Sequence, residues 1–289
     1  MTRKIFLGLI GASIQRSMSP ALHEEEGRHH GLRVHYQLID LEAARVGVEA
    51  LPELLNAAWL MGFAGLNITH PCKQSVIPLL ERVSDEAQAI GAVNTVVRGE
   101  SGFVGHNTDG SGWSWGFGRA LPRADLSRVV LVGAGGAGAA CADAVLRLGA
   151  GQLVIVDQDQ LRAASLAESL NQRFKGAPAR ASGDLPGAMA RASGLIHATP
   201  TGTASYPGLP FSASLLRPSM WISEVVYVPL ETPLLKAARA AGCATMDGGC
   251  MNVGQALGAF GLFTGQQADA ARMEAHFRSM TSRAHAGRG

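Results

Sequence analysis

The chain has 289 residues, 47% of them hydrophobic and 17% charged; at roughly 150 residues per domain that length implies two domains with substantial cores. Its formal charge of +2 is too small to draw nucleic acid or an anionic membrane by bulk electrostatics, so an anionic ligand must be recognised locally. Thirty-six glycines beside only 13 prolines exclude a proline-rich linker protein and suit an α/β chain with many tight strand-to-helix turns.

Met1-Thr2-Arg3-Lys4 followed by Ile5 to Ile10 mimics the start of a signal peptide, but the apolar run is short and no small-residue cleavage site follows. Ile5 to Gly11 therefore reads as a buried first strand. A Ser-rich turn leads to a helix opening at Pro20, then a strand over Val34 to Ile39 and a helix around Leu51 to Met61. The short apolar segment Phe63 to Ile68 comes next, with another helix beginning near Pro71 or Lys73. This βαβ rhythm favours a mostly parallel sheet covered by helices on both faces.

A second block starts after the polar, Gly-rich stretch Gly105 to Gly118. Strand Arg128 to Val132 runs into Gly133-Ala134-Gly135-Gly136-Ala137-Gly138, an Ala-rich helix stops at Gly149, and Leu153 to Asp157 is the next strand. Further strands are expected at Gly194 to His197 and Trp221 to Tyr227, with a helix from Thr232 to Ala241. The last 40 or so residues look helical, with a frayed polar tail from about Ser282. No run reaches the ~18 apolar residues of a membrane-spanning helix. Cys72, Cys141, Cys243 and Cys250 form no CxxC or zinc ladder and read as reduced packing residues of a cytoplasmic protein.

Gly133, Gly135 and Gly138 satisfy G-x-G-x-x-G, a weak pattern in a glycine-rich chain until its context is added. Here it follows an apolar strand and opens a helix, where a tight turn, close approach to a pyrophosphate and helix–strand packing each require a missing side chain. The helix N-terminus would then offer unpaired N–H groups to the phosphates. Asp157 stands nineteen positions after Gly138, at the end of the second strand. A carboxylate there accepts from an adenosine ribose and repels a 2′-phosphate, which argues for NAD. Arg162, close by in sequence, could instead pair with a 2′-phosphate. The alternative is a glycine-rich turn kept for packing alone.

Three polar clusters fall where strands of the first block should end. In Ser17-Met18-Ser19-Pro20-Ala21-Leu22-His23, Pro20 suits the first helical position, so Ser19 alone would read as an N-cap, whereas Ser17 has no such role. In Asn67-Ile68-Thr69-His70-Pro71-Cys72-Lys73, Lys73 falls on the first turn of a helix, whose positive dipole end would disfavour the ammonium and suit an acid/base group. The plain alternative is a solvated lysine. The third cluster is Gly91 to Thr95 with Gly105 to Gly110, in which turn chemistry would also account for Asn94 and Asp109. His29, His30 and His35 lack first-shell metal spacing and read as a surface helix end. Trp113 and Trp115 read as packing residues.

Taken in order, S-x-S-P-x-x-H (Ser17 to His23), N-x-T-x-P-x-K (Asn67 to Lys73), G-A-V-N-T (Gly91 to Thr95), N-T-D-x-x-G (Asn107 to Gly112), G-A-G-G-A (Gly133 to Ala137), A-T-P-x-G (Ala198 to Gly202), V-Y-x-P-x-x-T (Val226 to Thr232) and Gln255 resemble the shikimate/quinate dehydrogenase family over nearly the whole chain. The resemblance implies two α/β domains. One is a discontinuous substrate domain with a mostly parallel sheet, from residues 1–110 and the returning helices of 247–289. The other is a Rossmann dinucleotide-binding domain over 111–246, with the substrate in the cleft between them. It implies reversible hydride transfer between a nicotinamide and a ring hydroxyl carbon of a cyclic polyol carboxylate. Ser17 and Ser19 would hold the carboxylate, Asn67, Thr69, Asn94 and Gln255 the ring hydroxyls, and Lys73 and Asp109 the hydroxyl being oxidised. The cofactor would be met by Gly133, Gly135, Gly136, Ala137, Gly138, Asp157, Arg162, Thr199, Val226 and Gly248.

Departures from the family pattern carry information. Glu24 follows His23 where many members have Asn, and Val156-Asp157-Gln158-Asp159 replaces the Asn-Arg-Thr or Asn-Arg-Ser turn usual in NADP-using members. That points to NAD and to the quinate/shikimate subgroup; Ser19, where quinate users tend to have Thr, counts against efficient quinate use. An aminoshikimate-type dehydrogenase and a non-catalytic NAD-binding regulator remain as alternatives. Neither a metal, a nucleic acid nor a membrane partner is expected, and a homodimer is compatible with the sequence.

Overall fold

A computed structural model describes residues 3–286, with side chains through Ser282. The chain divides into two compact units, one made of the residues up to Thr108 and those from Val253 onward, the other of Asp109–Asn252. These boundaries lie at 108/109 and 252/253, where the sequence reading put 110/111 and 246/247.

The first unit holds β1 (Lys4–Gly11), α1 (Ser19–His29), β2 (Arg33–Asp40), α2 (Leu41–Ala44), α3 (Leu51–Leu60), β3 (Gly65–Ile68), α4 (Cys72–Ser75), β4 (Arg82–Val83), α5 (Asp85–Ile90), β5 (Thr95–Arg98) and β6 (Phe103–His106). Its six strands are ordered β2-β1-β3-β5-β6-β4. β1 pairs parallel with both β2 and β3, whereas β5 runs antiparallel to β3 and β6. The buried faces of β1 and β2 supply Ile5, Leu7, Leu9 and Tyr36, which pack against Ala259, Phe260 and Phe263 from the C-terminal part of the chain.

The second unit holds α6 (Asp109–Ala120), β7 (Arg128–Val132), α7 (Gly136–Arg147), β8 (Gln152–Val156), α8 (Gln160–Arg173), β9 (Ala179–Ala181), α9 (Leu185–Met189), β10 (Gly194–His197), β11 (Trp221–Glu224), α10 (Pro233–Ala240) and β12 (Ala244–Met246). Two more helices follow: α11 (Gly248–Thr264), within which the unit boundary falls, and α12 (Ala270–Ala286). The strands of the second sheet are ordered β12-β11-β10-β7-β8-β9 and all pair in parallel. That is the doubly wound order, with the chain reversing direction across the sheet between β7 and β10. Parallel strands covered on both faces are apolar almost throughout, and Val129, Val130 and Leu131 are accordingly buried.

Four differences from the sequence reading are instructive. The stretch Gly105 to Gly118, read as a polar separator, holds all but the last two residues of α6 despite its glycines. A Cβ on Gly116 would come within 2.8 Å of Cys250 Cβ, so the glycine permits close packing there. α12 continues to Ala286, past the expected fraying point at Ser282. Ser19 is the first residue of α1 and not its N-cap, which is Met18. Finally, the strands of the β5–β6 hairpin are only four residues each, too short a pattern to announce itself.

Candidate functional site

In the first sheet the carboxyl ends of β1, β3 and β6 and the amino end of β5 share one edge, because β3 and β6 both run against β5 and Thr95 registers with both Asn67 and His106. Asn67 lies near the end of β3 at that edge, Thr69 and Asn94 on connections there, Ser17 just before α1, Ser19 at its start, and Lys73 on α4 just after β3. The expected substrate residues of the first block are thus gathered where open α/β sheets hold ligands. A Cβ on Gly11 would meet the Thr69 methyl at 2.2 Å, so the glycine is what lets the two connections approach.

Hydrogen bonds fix the side chains there. The Tyr36 hydroxyl donates to Asn67 Oδ1 at 2.7 Å, and Asn67 Nδ2 donates to Thr95 Oγ1 at 3.0 Å and to the Asn94 carbonyl at 3.3 Å. Asn94 Nδ2 donates to Thr108 Oγ1 at 3.0 Å, while its Oδ1 accepts the Thr108 N–H at 2.8 Å. Both Asn67 and Asn94 are therefore locked in a buried network. With both of its amide protons engaged, Asn67 has only acceptor capacity left for a ligand hydroxyl.

Lys73 is half-buried on α4, and its carbonyl accepts the Val93 N–H at 2.9 Å, which ties it to the Asn94 connection. α4 is a single turn of four residues, so too few peptide dipoles align there for the helix-terminus argument to apply to Lys73. Burial pushes the neighbouring Cys72 thiol up to about 11, which leaves it inert at neutral pH. Asp109 is buried and opens α6, three residues beyond β6, and Gln255 is half-buried on α11.

The serine connection has an anchor that the sequence reading missed. Asp40, at the end of β2, accepts the N–H groups of Ser13 and Ile14 at 3.1 Å each, Gln15 Nε2 at 3.0 Å, and the N–H groups that begin α2. Burial alone would raise its pKa, but these donors, Gln15 foremost, hold the carboxyl below its ordinary range. An Asp between a strand and a short helical start was the available signal. In α1, the Ser19 N–H donates to Ser17 Oγ at 3.3 Å. Glu24, the departure from the family pattern, accepts the Tyr36 N–H at 2.9 Å on the edge strand β2.

In the second unit the three glycines of the motif have three distinct reasons. Gly133 has φ +103°, and a Cβ there would lie 2.6 Å from the Ala198 carbonyl oxygen. On Gly138 a Cβ would collide with the Gly133 carbonyl oxygen, while one on Gly135 would meet nothing within 4 Å, which leaves that backbone open to a ligand. Gly136 and Ala137 begin α7, whose first N–H groups have no acceptor within the helix. Turn, open approach and tight packing are the three requirements of a dinucleotide pyrophosphate cradle, so these residues fit a nicotinamide dinucleotide.

Asp157 follows β8. Its Oδ2 accepts the Ala134 N–H at 2.7 Å and its Oδ1 the Asp159 N–H at 2.8 Å. Arg162, exposed at the start of α8, reaches Asp157 Oδ1 at 3.7 Å and Asp159 Oδ2 at 3.3 Å. Thr199 follows β10 beside Gly133, Val226 follows β11, and Gly248 lies so close to the Val226 carbonyl that a Cβ would be 2.3 Å from it. Trp113 is a core residue, stacked on Phe117 and donating its indole N–H to Ser223 Oγ at 2.9 Å. Among the described residues no three His, Cys, Asp or Glu side chains are grouped to hold a metal ion, no helix is long and apolar enough to cross a membrane, and all four cysteines are free thiols.

An α/β chain in which one sheet has the doubly wound parallel order and a glycine cradle, and the other gathers polar side chains at one edge, is of the class of two-unit dehydrogenases with a Rossmann-type nucleotide-binding domain. Residues 9–96 match the model of the shikimate dehydrogenase substrate binding domain, and residues 119–170, which span β7 to α8, match that of the ThiF family. A shikimate dehydrogenase (NADP(+)) of Streptomyces avermitilis is 54% identical over 287 residues, covering 98% of this chain and 99% of the relative. A quinate/shikimate dehydrogenase (NAD(+)) of Corynebacterium efficiens is 48% identical, covering 96% and 98%. Among solved structures, quinate dehydrogenase from Corynebacterium glutamicum in complex with NAD is 45% identical with a TM-score of 0.89, over 96% of this chain and 100% of that one. The chain belongs to the shikimate dehydrogenase family. The names of these relatives divide between the two nicotinamide cofactors.

Proposed function

We propose that the chain is an NAD-linked dehydrogenase interconverting shikimate and 3-dehydroshikimate, with Lys73 and Asp109 as its acid/base pair. The observation that carries the cofactor reading is Asp157. Its carboxylate stands at the end of β8, bound to the Gly-rich loop through the Ala134 N–H, and the Arg162 guanidinium is directed to Asp157 and Asp159. A carboxylate keeps about four acceptor sites, so two N–H donors leave room for ribose hydroxyls, whereas a 2′-phosphate would meet like charge. The substrate reading is supported by the polar edge of the first sheet and by the similarity to shikimate and quinate dehydrogenases.

When bound, the nicotinamide accepts or returns the hydride. In the oxidative direction the substrate hydroxyl must lose its proton as hydride leaves carbon, and Lys73 Nζ takes that proton and steers the alkoxide by charge, with Asp109 as its partner. Asn67, Thr69, Asn94 and Gln255 orient the ring hydroxyls, and Ser17 and Ser19 hold the carboxylate. The buried network behind Asn67 and Asn94 sets their orientation before substrate arrives, which lowers the entropy cost of reaching the reactive geometry.

A steady-state panel of shikimate, quinate and an amino analogue, each with NAD and NADP, tests this reading. NAD with shikimate should give the highest kcat/KM, and a clear preference for NADP or for another substrate overturns it. Asp157→Asn, which keeps an acceptor for Ala134 while removing the charge, should narrow the NAD preference; an unchanged ratio in parallel titrations removes Asp157 from cofactor choice. Lys73→Ala should lower turnover at least ~10²-fold with NAD affinity retained, the range for loss of a positioned acid/base.

A further inference from the structure

His197 and Glu224 are wholly buried at the last positions of β10 and β11, paired in register, with His197 Nδ1 2.8 Å from Glu224 Oε1. Nothing in the reaction described above uses them. Glu224 is surrounded by donors, which fix the direction of the hydrogen bonds around it. Its Oε1 also accepts the N–H groups of Val225 at 2.9 Å and Val226 at 3.0 Å, and its Oε2 accepts the Thr232 hydroxyl at 3.0 Å. His197 therefore carries its proton on Nδ1, facing the carboxylate. In the neutral imidazole Nε2 then accepts from the Thr199 hydroxyl, 2.6 Å away, whose oxygen accepts the Thr201 N–H at 3.3 Å.

The chain of bonds ends on two connections at the carboxyl edge of the sheet, and the one after β10 borders the glycine cradle. Thr199 Cγ2 and the Ala198 carbonyl lie against Gly133, so the connection after β10 sets one wall of the tight turn. The Val225 and Val226 carbonyls lie against Gly248, so the connection after β11 sets the start of α11. Both connections leave the carboxyl edge of the parallel sheet, and that after β10 flanks the switch point between β7 and β10.

We propose that His197 and Glu224 are positioning residues for the nicotinamide dinucleotide: the buried pair holds the Thr199 and Val226 connections in the conformation that receives the cofactor. Burying these polar side chains gains little stability compared with apolar side chains of the same volume, so their use lies in the bonds they direct. It acts through Thr199 and the Val225–Val226 backbone and touches no reacting atom. The inference rests on the cofactor reading given above.

The test is calorimetric titration of the full chain with NAD, in the absence of substrate, for the native protein and for Glu224→Gln, Thr199→Val, Thr199→Ser and the double variant Glu224→Gln/Thr199→Val. Glu224→Gln and Thr199→Val should each weaken NAD roughly tenfold or more, the range for breaking a buried hydrogen bond to a charged network. Thr199→Ser, which keeps the hydroxyl but loses the methyl beside Gly133, should lose much less affinity than Thr199→Val, and the double variant should lose much less than the product of the two single losses, because both act on one chain of bonds. The shikimate KM at saturating NAD should stay within about twofold, since the substrate network is separate. Native NAD affinity in a folded but less stable Glu224→Gln makes the pair purely structural and overturns the proposal, as does equal weakening by Thr199→Ser and Thr199→Val. If Glu224→Gln fails to fold, the two Thr199 variants decide alone. Absence of NAD binding by the native protein overturns instead the cofactor reading on which the proposal stands.

Discussion

His23 is the clearest case of a residue whose cost and position can be weighed together. It is fully buried, stacked on Tyr36 with ring centroids 5.1 Å apart and packed near Phe260 and Phe263, and neither ring nitrogen has a hydrogen-bond partner among the described residues. Burial lowers its pKa to about 4, against a smaller raising effect of Glu26. Unfolding therefore takes up a proton between about pH 6.5 and pH 4, so stability is full above that window, falls as pH drops through it, and levels off below. The loss is on the order of 3 kcal/mol. His23→Phe should remove this slope, so that the stability difference between variant and native protein, from urea unfolding at several pH values, grows from pH 7 to pH 4. A constant difference would show that the imidazole does not charge on unfolding there. Asp40 works at the lower end: its depressed pKa stabilises above the unfolded carboxyl range and loses that effect as pH falls through the folded value.

At the scale of elements, α12 is tied to α1 by one buried carboxylate. Glu26 accepts from Arg272 Nη2 at 2.7 Å and Nε at 2.8 Å, from the Asp269 N–H at 2.8 Å, and lies 2.9 Å from His30 Nε2. Burial alone would raise its pKa; these partners, Arg272 first, hold it low. Arg272→Ala leaves the carboxylate buried without its main counter-charge and should cost about 3 kcal/mol, read as a shift in urea midpoint at pH 7.5. A shift below ~1 kcal/mol would mean that His30 and the backbone suffice. Elements whose hydrophobic pattern is strong, such as β1, β7, β8 and β10, were legible in the sequence because burial on both faces demands unbroken apolar runs. α6 was not, since its glycines mimic a linker and only packing partners distant in sequence, Met246 and Cys250, reveal the purpose of Gly116. The glycine cradle and Asp157 were legible because their geometry is local. The His197–Glu224 pair was not, because each looks like an ordinary strand end until register sets them side by side.

At the scale of the whole chain, the two units differ in how they are assembled from it. The apolar clusters around Trp113, Val145 and Leu153 and around Val130, Leu195 and Ile222 draw all their buried members from Asp109–Asn252. The cluster around Ile5, Leu7 and Leu9 instead needs Ala259, Phe260 and Phe263 from the far end. A fragment of residues 109–252 should therefore unfold cooperatively on heating, with NAD raising its midpoint, whereas a fragment of residues 1–108 should show no cooperative transition. Calorimetry on both fragments checks this, and a sharp transition in the shorter one would show that the returning helices are dispensable.

That split bears on how the protein is made. A ribosome adding about 5–20 residues per second takes on the order of ten seconds to synthesise the stretch between Thr108 and Val253. Throughout that interval Ile5, Leu7 and Leu9 have emerged while Phe260 and Phe263 do not yet exist. The nascent first sheet thus carries a bare apolar face in a crowded cell, the kind of surface that chaperones bind and proteases sample. Substitutions there will act first on yield, by lengthening or worsening the wait, before any effect on the finished enzyme is felt.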